Sequence, residues 1–405
     1  MKYILASLCL ILISCNYLPT NPDLNINYGS INGASPLDSS AKSIMNGIYK
    51  VIDGKDLLGD EVAGKWIGNK WCFYSNHDVV FSENAGGSFG DSLVFAGYIR
   101  VVRSAGGSEI KLTMLPNEGG TDLITHHIKS PYILRAKDNN GNNITLQRVR
   151  DLYSPAKRFY MLAHRGGGRN SERLGHSENS VEMLKYAEIM GATGVEIDVR
   201  RTKDNQLIIF HDDTFSPRTV QGAYLLGNVE NFDLAQINLF GRLINGEKIP
   251  TLAEALSAIV DNTNISLVWL DIKVAGLIDE VIKEQQEALN SAKAKGRDLL
   301  ILLGVPDQGV LDQLNKSAYK TTIPILIEYD VEQVLAYPNC VAWAPRWTNG
   351  MQTADIQRVH AAGKLVFTWT LDVIDYISDF IHGDYDGILS NYPSLVAGML
   401  YSNIK

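Results

Sequence analysis

Cysteine is scarce, at four in 405 residues. Cys9 and Cys15 fall in an N-terminal leader, which leaves Cys72 and Cys340 in different predicted domains. Both read as small buried hydrophobes rather than as a disulfide, and no group of cysteines has the spacing of a zinc site. A basic excess is also missing: 37 Lys and Arg face 45 Asp and Glu, for a net charge of −8. That balance excludes a general nucleic-acid binder. It leaves room for a phosphorylated substrate, because a bound cation reverses the local field. No Gly-x-Gly-x-x-Gly follows a strand, since Gly166-Gly167-Gly168 lacks that spacing. Short-period repeats are absent. The length, with 45% hydrophobic residues, suits two globular domains.

The first fifteen residues are read as a leader. Lys2 supplies positive charge, and the apolar run Ile4 to Ile13 is too short for a stable membrane span. No other segment is long and apolar enough to cross a bilayer. Leu12-Ile13-Ser14-Cys15 resembles the lipobox of bacterial lipoproteins. The resemblance implies lipidation of Cys15, an anchor in the membrane, and a place in the bacterial cell envelope, periplasmic or surface-facing. An ordinary secretory signal with an incidental cysteine fits less well, because small Ser14 directly precedes Cys15 and a polar stretch follows. Residues 16–39, rich in Asn, Pro, Ser and Gly, read as a flexible tether.

Residues 40–153 read as a small β-rich accessory domain. A short helix is expected over Ser40 to Ile52, with Ile44, Met45, Ile48 and Val51 on one side. Strands are expected at 65–74, 78–82, 93–103, 109–115, 132–138 and 144–150. Asn139-Asn140-Gly141-Asn142 marks a hairpin turn, because Asn and Gly tolerate positive φ. Short strands with such turns point to an antiparallel sandwich or barrel. Trp66, Trp71, Phe73 and Tyr74 read as its core and rim, ahead of a ligand face.

After a joint at Ser154 to Lys157, residues 158–405 alternate short apolar strands with amphipathic helices. Strands are expected at 160–164, 194–200, 266–273, 299–304, 323–327, 340–344, 365–370 and 387–390. Helices are expected between them and after the last. Eight strand–helix units indicate a TIM (β/α)8 barrel, with a doubly wound sheet as the alternative.

One stretch of this domain is dense in polar groups. In a strand, residues i and i+2 point the same way, so Glu196 and Asp198 project together, as do Asp271 and Lys273 on the next strand. Charge inside otherwise apolar strands is costly without a partner. Glu196, Asp198 and Asp271 therefore read as ligands for a hard divalent cation, Mg²⁺ or Ca²⁺. His164 ends the first barrel strand, and His211 ends an apolar run, Leu207 to Phe210, expected as an extra strand. With ordinary pKa values of about 6.5, one histidine can deprotonate an attacking hydroxyl and the other protonate a leaving alkoxide. Arg165 can bind a phosphate through two parallel hydrogen bonds, and Lys273 adds a point charge. Such a set suits attack on a phosphodiester, whose negative charge must first be neutralised. His77, His126, His127, His176, His360 and His382 lack such company and read as loop or surface residues.

These residues resemble the glycerophosphodiester phosphodiesterases. The resemblance runs from about Met161 to Met399. It rests on His164-Arg165-Gly166, Glu178-Asn179, Glu196-x-Asp198, Thr202-Lys203-Asp204, His211-Asp212 and Ile249-Pro250-Thr251-Leu252. Trp369-Thr370, Asp386-Gly387-Ile388 and Tyr392-Pro393 look like its last two barrel strands. It implies a TIM barrel and a divalent cation on Glu196, Asp198 and the third-strand acid. It also implies His164 and His211 as the acid–base pair and Trp369 in the substrate pocket. The expected activity is hydrolysis of a small phosphodiester to glycerol 3-phosphate and an alcohol. One position departs from the pattern. The family usually has Glu-x-Lys in the third strand, whereas this chain has Asp271-Ile272-Lys273. That aspartate is similar to the sphingomyelinase D branch, so a phospholipase D-like enzyme acting on lysophospholipid or sphingolipid headgroups is the alternative. Oligomeric state is not legible in the sequence.

Overall fold

The run Trp71-Cys72-Phe73-Tyr74 is apolar without alternation, and the computed structural model shows why. Trp71 and Phe73 belong to the core of one barrel, whereas Cys72 and Tyr74 join the core of a second. A strand with both faces buried loses the alternation of a half-exposed one. The structure describes residues 27–104, 106–127, 131–169, 174–221, 225–274 and 276–403. The leader and Cys15 lie outside the described residues.

The first barrel is antiparallel and closed. Its strands are β1 (Gly47–Asp53), β2 (Glu61–Ile67), β3 (Lys70–Ser75), β4 (Val80–Phe89), β5 (Ser92–Val101), β6 (Gly106–Met114), β7 (Ile133–Lys137) and β8 (Asn143–Arg150). Pairing of β1 with β8 closes it and removes both sheet edges. Trp71 fills the interior, with ring centroids 5.5 Å from Tyr49, 5.7 Å from Phe73 and 6.3 Å from Phe95. The hairpin expected at Asn139 to Asn142 joins β7 to β8, with Gly141 at φ 83°. Asp138 Oδ1 accepts from the amides of Asn140 and Asn142 at 2.9 and 2.8 Å.

Three expectations for this region need correction. The helix expected over Ser40 to Ile52 spans only Ser39–Met45, and Gly47–Asp53 is β1. Ile48 and Val51 had matched one helical face with Ile44 and Met45, but barrel closure between β2 and β8 holds them extended. The single strand expected at 65–74 is a hairpin, β2 and β3, turning at Gly68 with φ 57°. The tether expected over 16–39 is partly folded where it is described. Ser35 exchanges two 2.8 Å backbone hydrogen bonds with Ser88, and Leu37 is buried.

The second barrel is parallel, as expected from the sequence. Its strands are β9 (Tyr160–Ala163) and β10 (Gly194–Arg201), followed after further short strands by the rest of the ring. Those short strands are β11 (Leu207–Ile209), β12 (Thr214–Phe215), β13 (Val220–Gln221), β14 (Gly227–Asn228) and β15 (Arg242–Leu243). The ring continues with β16 (Leu267–Ile272), β17 (Leu300–Val305), β18 (Ile325–Ile327), β19 (Cys340–Trp343), β20 (Leu365–Thr368) and β21 (Gly387–Ser390). β21 pairs with β9 and β9 with β10, so the eight parallel strands close. β11 lies antiparallel on β10, and β12 to β15 with the helix Leu234–Phe240 form an insertion around Phe210, Phe215 and Ile237.

The barrels share a core. The last helix, Pro393–Ser402, is buried on every side because β2 and β3 cover the face that the parallel barrel leaves. Gly398 permits the contact: a Cβ there would lie 2.1 Å from the Ser75 carbonyl oxygen. Tyr74 donates to the carbonyl of Ile189 at 3.0 Å across the same boundary.

Candidate active site

The site gathers residues of β10 and β16 with residues of the loops beyond the parallel strands, where loops can vary without disturbing the barrel. On β10 and β16, Asp198 lies directly opposite Asp271 in register. Glu196, two residues earlier on β10, shares their face. Carboxylate oxygens of Glu196, Asp198 and Asp271 lie within 4.8 Å of one another. Glu196 is 2% exposed and Asp198 fully buried.

Three like charges so close need neutralising, and the chain supplies one cation among them. Lys273 Nζ lies 3.0 Å from Asp198 Oδ1, without hydrogen-bond alignment, and bonds Asp271 Oδ2. Glu196 Oε1 and Asp198 Oδ1 are buried and have no hydrogen-bond partner among the described residues. Burial first, then the charges of Asp198 and Asp271, hold the Glu196 carboxyl well above the usual range. Burial also resists ionisation of Asp198, but the Lys273 ammonium, with His211 and Arg165, outweighs it and keeps that carboxyl low. Burial raises Asp271, an effect only partly offset by Lys273. Buried carboxylate oxygens without hydrogen-bond donors, converging within 4.8 Å, are the donor set of a hard divalent cation, and the cluster fits one.

Around this cluster the backbone is held in an unusual conformation. Arg165 and Asn179 both adopt positive φ, 53° and 57°. Non-glycine residues in that region persist where surrounding contacts impose it. Here the Arg165 amide donates to Glu196 Oε2 at 2.7 Å, and the Asn179 amide donates to the Arg165 carbonyl at 2.9 Å. Asn179 Nδ2 donates to Asp198 Oδ2 at 2.7 Å. The Arg165 guanidinium is buried and pairs with Glu178 through Nη1 at 2.8 Å, while its Nε has no hydrogen-bond partner among the described residues. Arg218, from the insertion, completes the network with 3.1 Å to Glu178 and 2.7 Å to Asp212.

The two histidines flank the cluster. His164 Nε2 is 3.9 Å from Glu196 Oε2, and its Nδ1 is 2.8 Å from Asn391 Oδ1. Burial, reinforced by Arg165, lowers the His164 imidazole to about 4. His211 Nδ1 bonds Asp212 Oδ1 at 2.7 Å, and burial lowers its pKa too. His211, Asp271, Lys273 and Trp369 line a cleft of 670 Å³ with Glu328 and Arg346.

The structure thus brings His164, Arg165, Glu196, Asp198, Asp271 and Lys273 together and sets His211 and Trp369 on the adjoining cleft. Sequence reasoning gave no site role to Glu178, Asn179, Asp212, Arg218, Glu328, Arg346, Asp372 or Asn391. Glu178-Asn179 and His211-Asp212 were visible as motifs. Arg218, Glu328 and Arg346 had no local signal, because only the fold brings their loops to the mouth. Of the histidines read as loop or surface residues, His360 pairs with Asp386 at 2.8 Å and His382 bonds its own helix, at the Ser378 carbonyl.

Comparison with known proteins bears on the family and the fold of the parallel barrel. The sequence model of the Glycerophosphoryl diester phosphodiesterase family matches residues 164–395. A glycerophosphodiester phosphodiesterase of Caldanaerobacter subterraneus subsp. tengcongensis is 26% identical over 249 residues, 59% of this chain and 97% of that protein. Glycerophosphodiester phosphodiesterase 1 of Mus musculus is 31% identical over 261 residues, 56% of this chain and 76% of that protein. A solved glycerophosphodiester phosphodiesterase from Parabacteroides distasonis shares the fold at 18% identity and a TM-score of 0.50, covering 62% of this chain and all of the other. The match spans the parallel barrel and leaves the antiparallel one outside it; the chain is an enzyme that belongs to the glycerophosphoryl diester phosphodiesterase family.

Proposed function

We propose that the chain hydrolyses glycerophosphodiesters to glycerol 3-phosphate and an alcohol, with His164 and His211 as the acid–base pair. One observation carries the reading. A cluster of three carboxylates within 4.8 Å is flanked by two histidines, each with Nδ1 bound to a side-chain oxygen. Such bonding leaves each Nε2 for proton transfer. A divalent cation, Mg²⁺ or Ca²⁺, held by Glu196, Asp198 and Asp271 would supply Lewis acidity toward the phosphoryl oxygens.

The protein groups do the rest. His164 is neutral above about pH 4 and accepts the proton of the attacking hydroxyl, from water directly or from the glycerol itself, in which case the cyclic phosphate formed is then opened by water. Burial lowers the His211 pKa and the hydrogen bond to Asp212 opposes that shift; in this reading His211 protonates the leaving alkoxide. Arg165 Nε, a buried donor with no hydrogen-bond partner among the described residues, can bind an anionic oxygen, and Lys273 adds positive charge. The P–O bond to the alcohol breaks and a P–O bond to the attacking oxygen forms, with one proton taken up and one returned.

The same proposal assigns catalysis to residues 158–405, an accessory role to 40–153, and lipid anchoring in the cell envelope to Cys15. No observation favours the phospholipase D-like alternative. The test is turnover of glycerophosphocholine by purified protein, with and without chelator, and with product identification. Release of choline and glycerol 3-phosphate that stops with chelator is expected. Turnover of micellar lysolipid with none of the soluble diester would defeat the reading.

A further inference from the structure

The cleft beside the carboxylate cluster has a second polar wall, across the barrel from β9 and β10. Glu328 follows β18, and Arg346 lies just beyond β19. Glu328 is 8% exposed, and its Oε1 is buried without a hydrogen-bond partner among the described residues. Arg346 is exposed at the mouth, and its guanidinium carbon stands 4.3 Å from the centroid of the Trp369 ring. That indole is itself fixed, because Nε1 donates to the Ala344 carbonyl at 2.7 Å. The backbones of Arg346 and Trp369 are bridged as well. Both residues line the same cleft as His211, Asp271 and Lys273. Yet the two side chains do not pair with each other, and among the described residues neither has an ion-pair partner.

We infer that Glu328 and Arg346 form a recognition subsite for the free vicinal diol of the glycerol moiety. The inference rests on the phosphodiesterase reading and deepens it by naming what the cleft recognises. A buried carboxylate without a donor is unfavourable, so the site is built to receive one. A lone cation would satisfy Glu328 and ignore Arg346, and a lone anion would do the reverse. A hydroxyl both donates and accepts. Two adjacent hydroxyls therefore satisfy the acid and the guanidinium together and bring no net charge into the cleft. Bracing on the indole keeps the guanidinium in place before the ligand arrives, which reduces the ordering cost of binding. Every glycerophosphodiester with an unacylated glycerol carries such a diol.

The test uses the full chain with its cation and three diesters. The first is glycerophosphocholine. The second is its propane-1,2-diol analogue, which keeps the hydroxyl next to the phosphoester carbon and lacks the terminal one. The third is bis(p-nitrophenyl) phosphate, which has no diol. The wild type is expected to favour glycerophosphocholine over the analogue by about tenfold or more, the worth of one hydrogen bond to a charged group. Glu328→Gln and Arg346→Leu are each expected to lower kcat/KM on glycerophosphocholine by about 10- to 100-fold. Both should bring the two choline esters to within roughly threefold of each other, whereas the aryl diester falls much less. Glu328→Gln keeps the shape of the side chain, and its melting temperature separates lost recognition from lost folding. Equal losses on all three diesters, or undiminished discrimination in both variants, would overturn the subsite. So would a higher metal requirement in Glu328→Gln, which would make Glu328 a cation ligand. A preference for glycerophosphoserine that Arg346→Leu abolishes would assign the wall to a zwitterionic headgroup instead. No turnover of any diester by the wild type refutes the phosphodiesterase reading, whereas turnover without discrimination refutes the subsite alone.

Discussion

Asn391 accepts a hydrogen bond at Oδ1 from Nδ1 of His164, 2.8 Å away, and donates from its amide nitrogen to Asp372 at 2.6 Å. The ionised Asp372 can only accept, so it fixes which way the Asn391 amide faces. His164 must then carry its proton on Nδ1 and direct the Nε2 lone pair toward the cluster. Asn391→Leu removes this control over tautomer and ring orientation. The expected result is a fall in kcat of about 10²-fold or more, with a melting temperature close to that of the wild type. Steady-state kinetics and a thermal melt check it together.

The two histidines should carry comparable weight. His164→Ala and His211→Ala are each expected to lower kcat on glycerophosphocholine by about 10²- to 10⁴-fold, the usual range for general acid–base groups. Asp212→Asn weakens the bond that orients His211 and should cost less than removing the ring. Full turnover in either alanine variant would contradict the assignment.

The pH dependence follows from burial. His164 is lowered to about 4, so its neutral form persists well below the ordinary histidine range of about 6.5. The acid limb of kcat/KM that belongs to this group should lie near pH 4. The stability contribution has the opposite sign from a histidine that gains a partner. Between pH 6.5 and 4 the unfolded chain takes up a proton that native His164 refuses, so stability falls as the pH drops through this window. The loss from this one group is on the order of 3 kcal/mol. Denaturant midpoints in His164→Phe, compared with wild type at pH 7 and 4.5, should show a smaller drop in the variant.

Glu196 behaves in the reverse sense. Its carboxyl is raised by burial and by Asp198 and Asp271, so ionising it at neutral pH costs stability that a bound cation restores. Chelator at pH 7 should therefore lower the melting temperature. With the cation at a hundred times its dissociation constant, the stabilisation is about 2.7 kcal/mol. The difference should shrink toward pH 4.5 as protons replace the cation, and it should disappear in Asp198→Asn. An unchanged melt with chelator at pH 7 would argue against a cation on these carboxylates.

The contact between barrels is open to a direct mutation. A Cβ at Gly398 would meet the Ser75 carbonyl at 2.1 Å and the Asn76 amide at 3.2 Å, both main chain and unable to swing away. Gly398→Val should destabilise by about 1–3 kcal/mol through overpacking. It should leave the pH profile of the remaining folded enzyme unchanged, because no site residue touches the helix at that point. Differential scanning calorimetry and a kcat–pH series would check both halves.

The parallel barrel was legible in the sequence, since short apolar runs alternate with helical segments along it, most of them amphipathic. The sequence also determined the chemistry of the cluster. Glu196 and Asp198 are two residues apart on one strand, and Asp271 and Lys273 repeat that spacing on the next, so their faces follow from local geometry alone. Tertiary structure decided what depended on contacts distant in sequence. Ile44, Met45, Ile48 and Val51 had helical spacing, but closure between β2 and β8 made residues 47–53 a strand. Trp71 to Tyr74 lost alternation because each face met a different barrel. Arg218, Glu328, Arg346 and Asn391 reached the mouth from loops whose sequences carry no sign of their destination. Local patterns encode which way a side chain points along its own element, whereas the partner it meets is set by closure of the sheet and the paths of the loops.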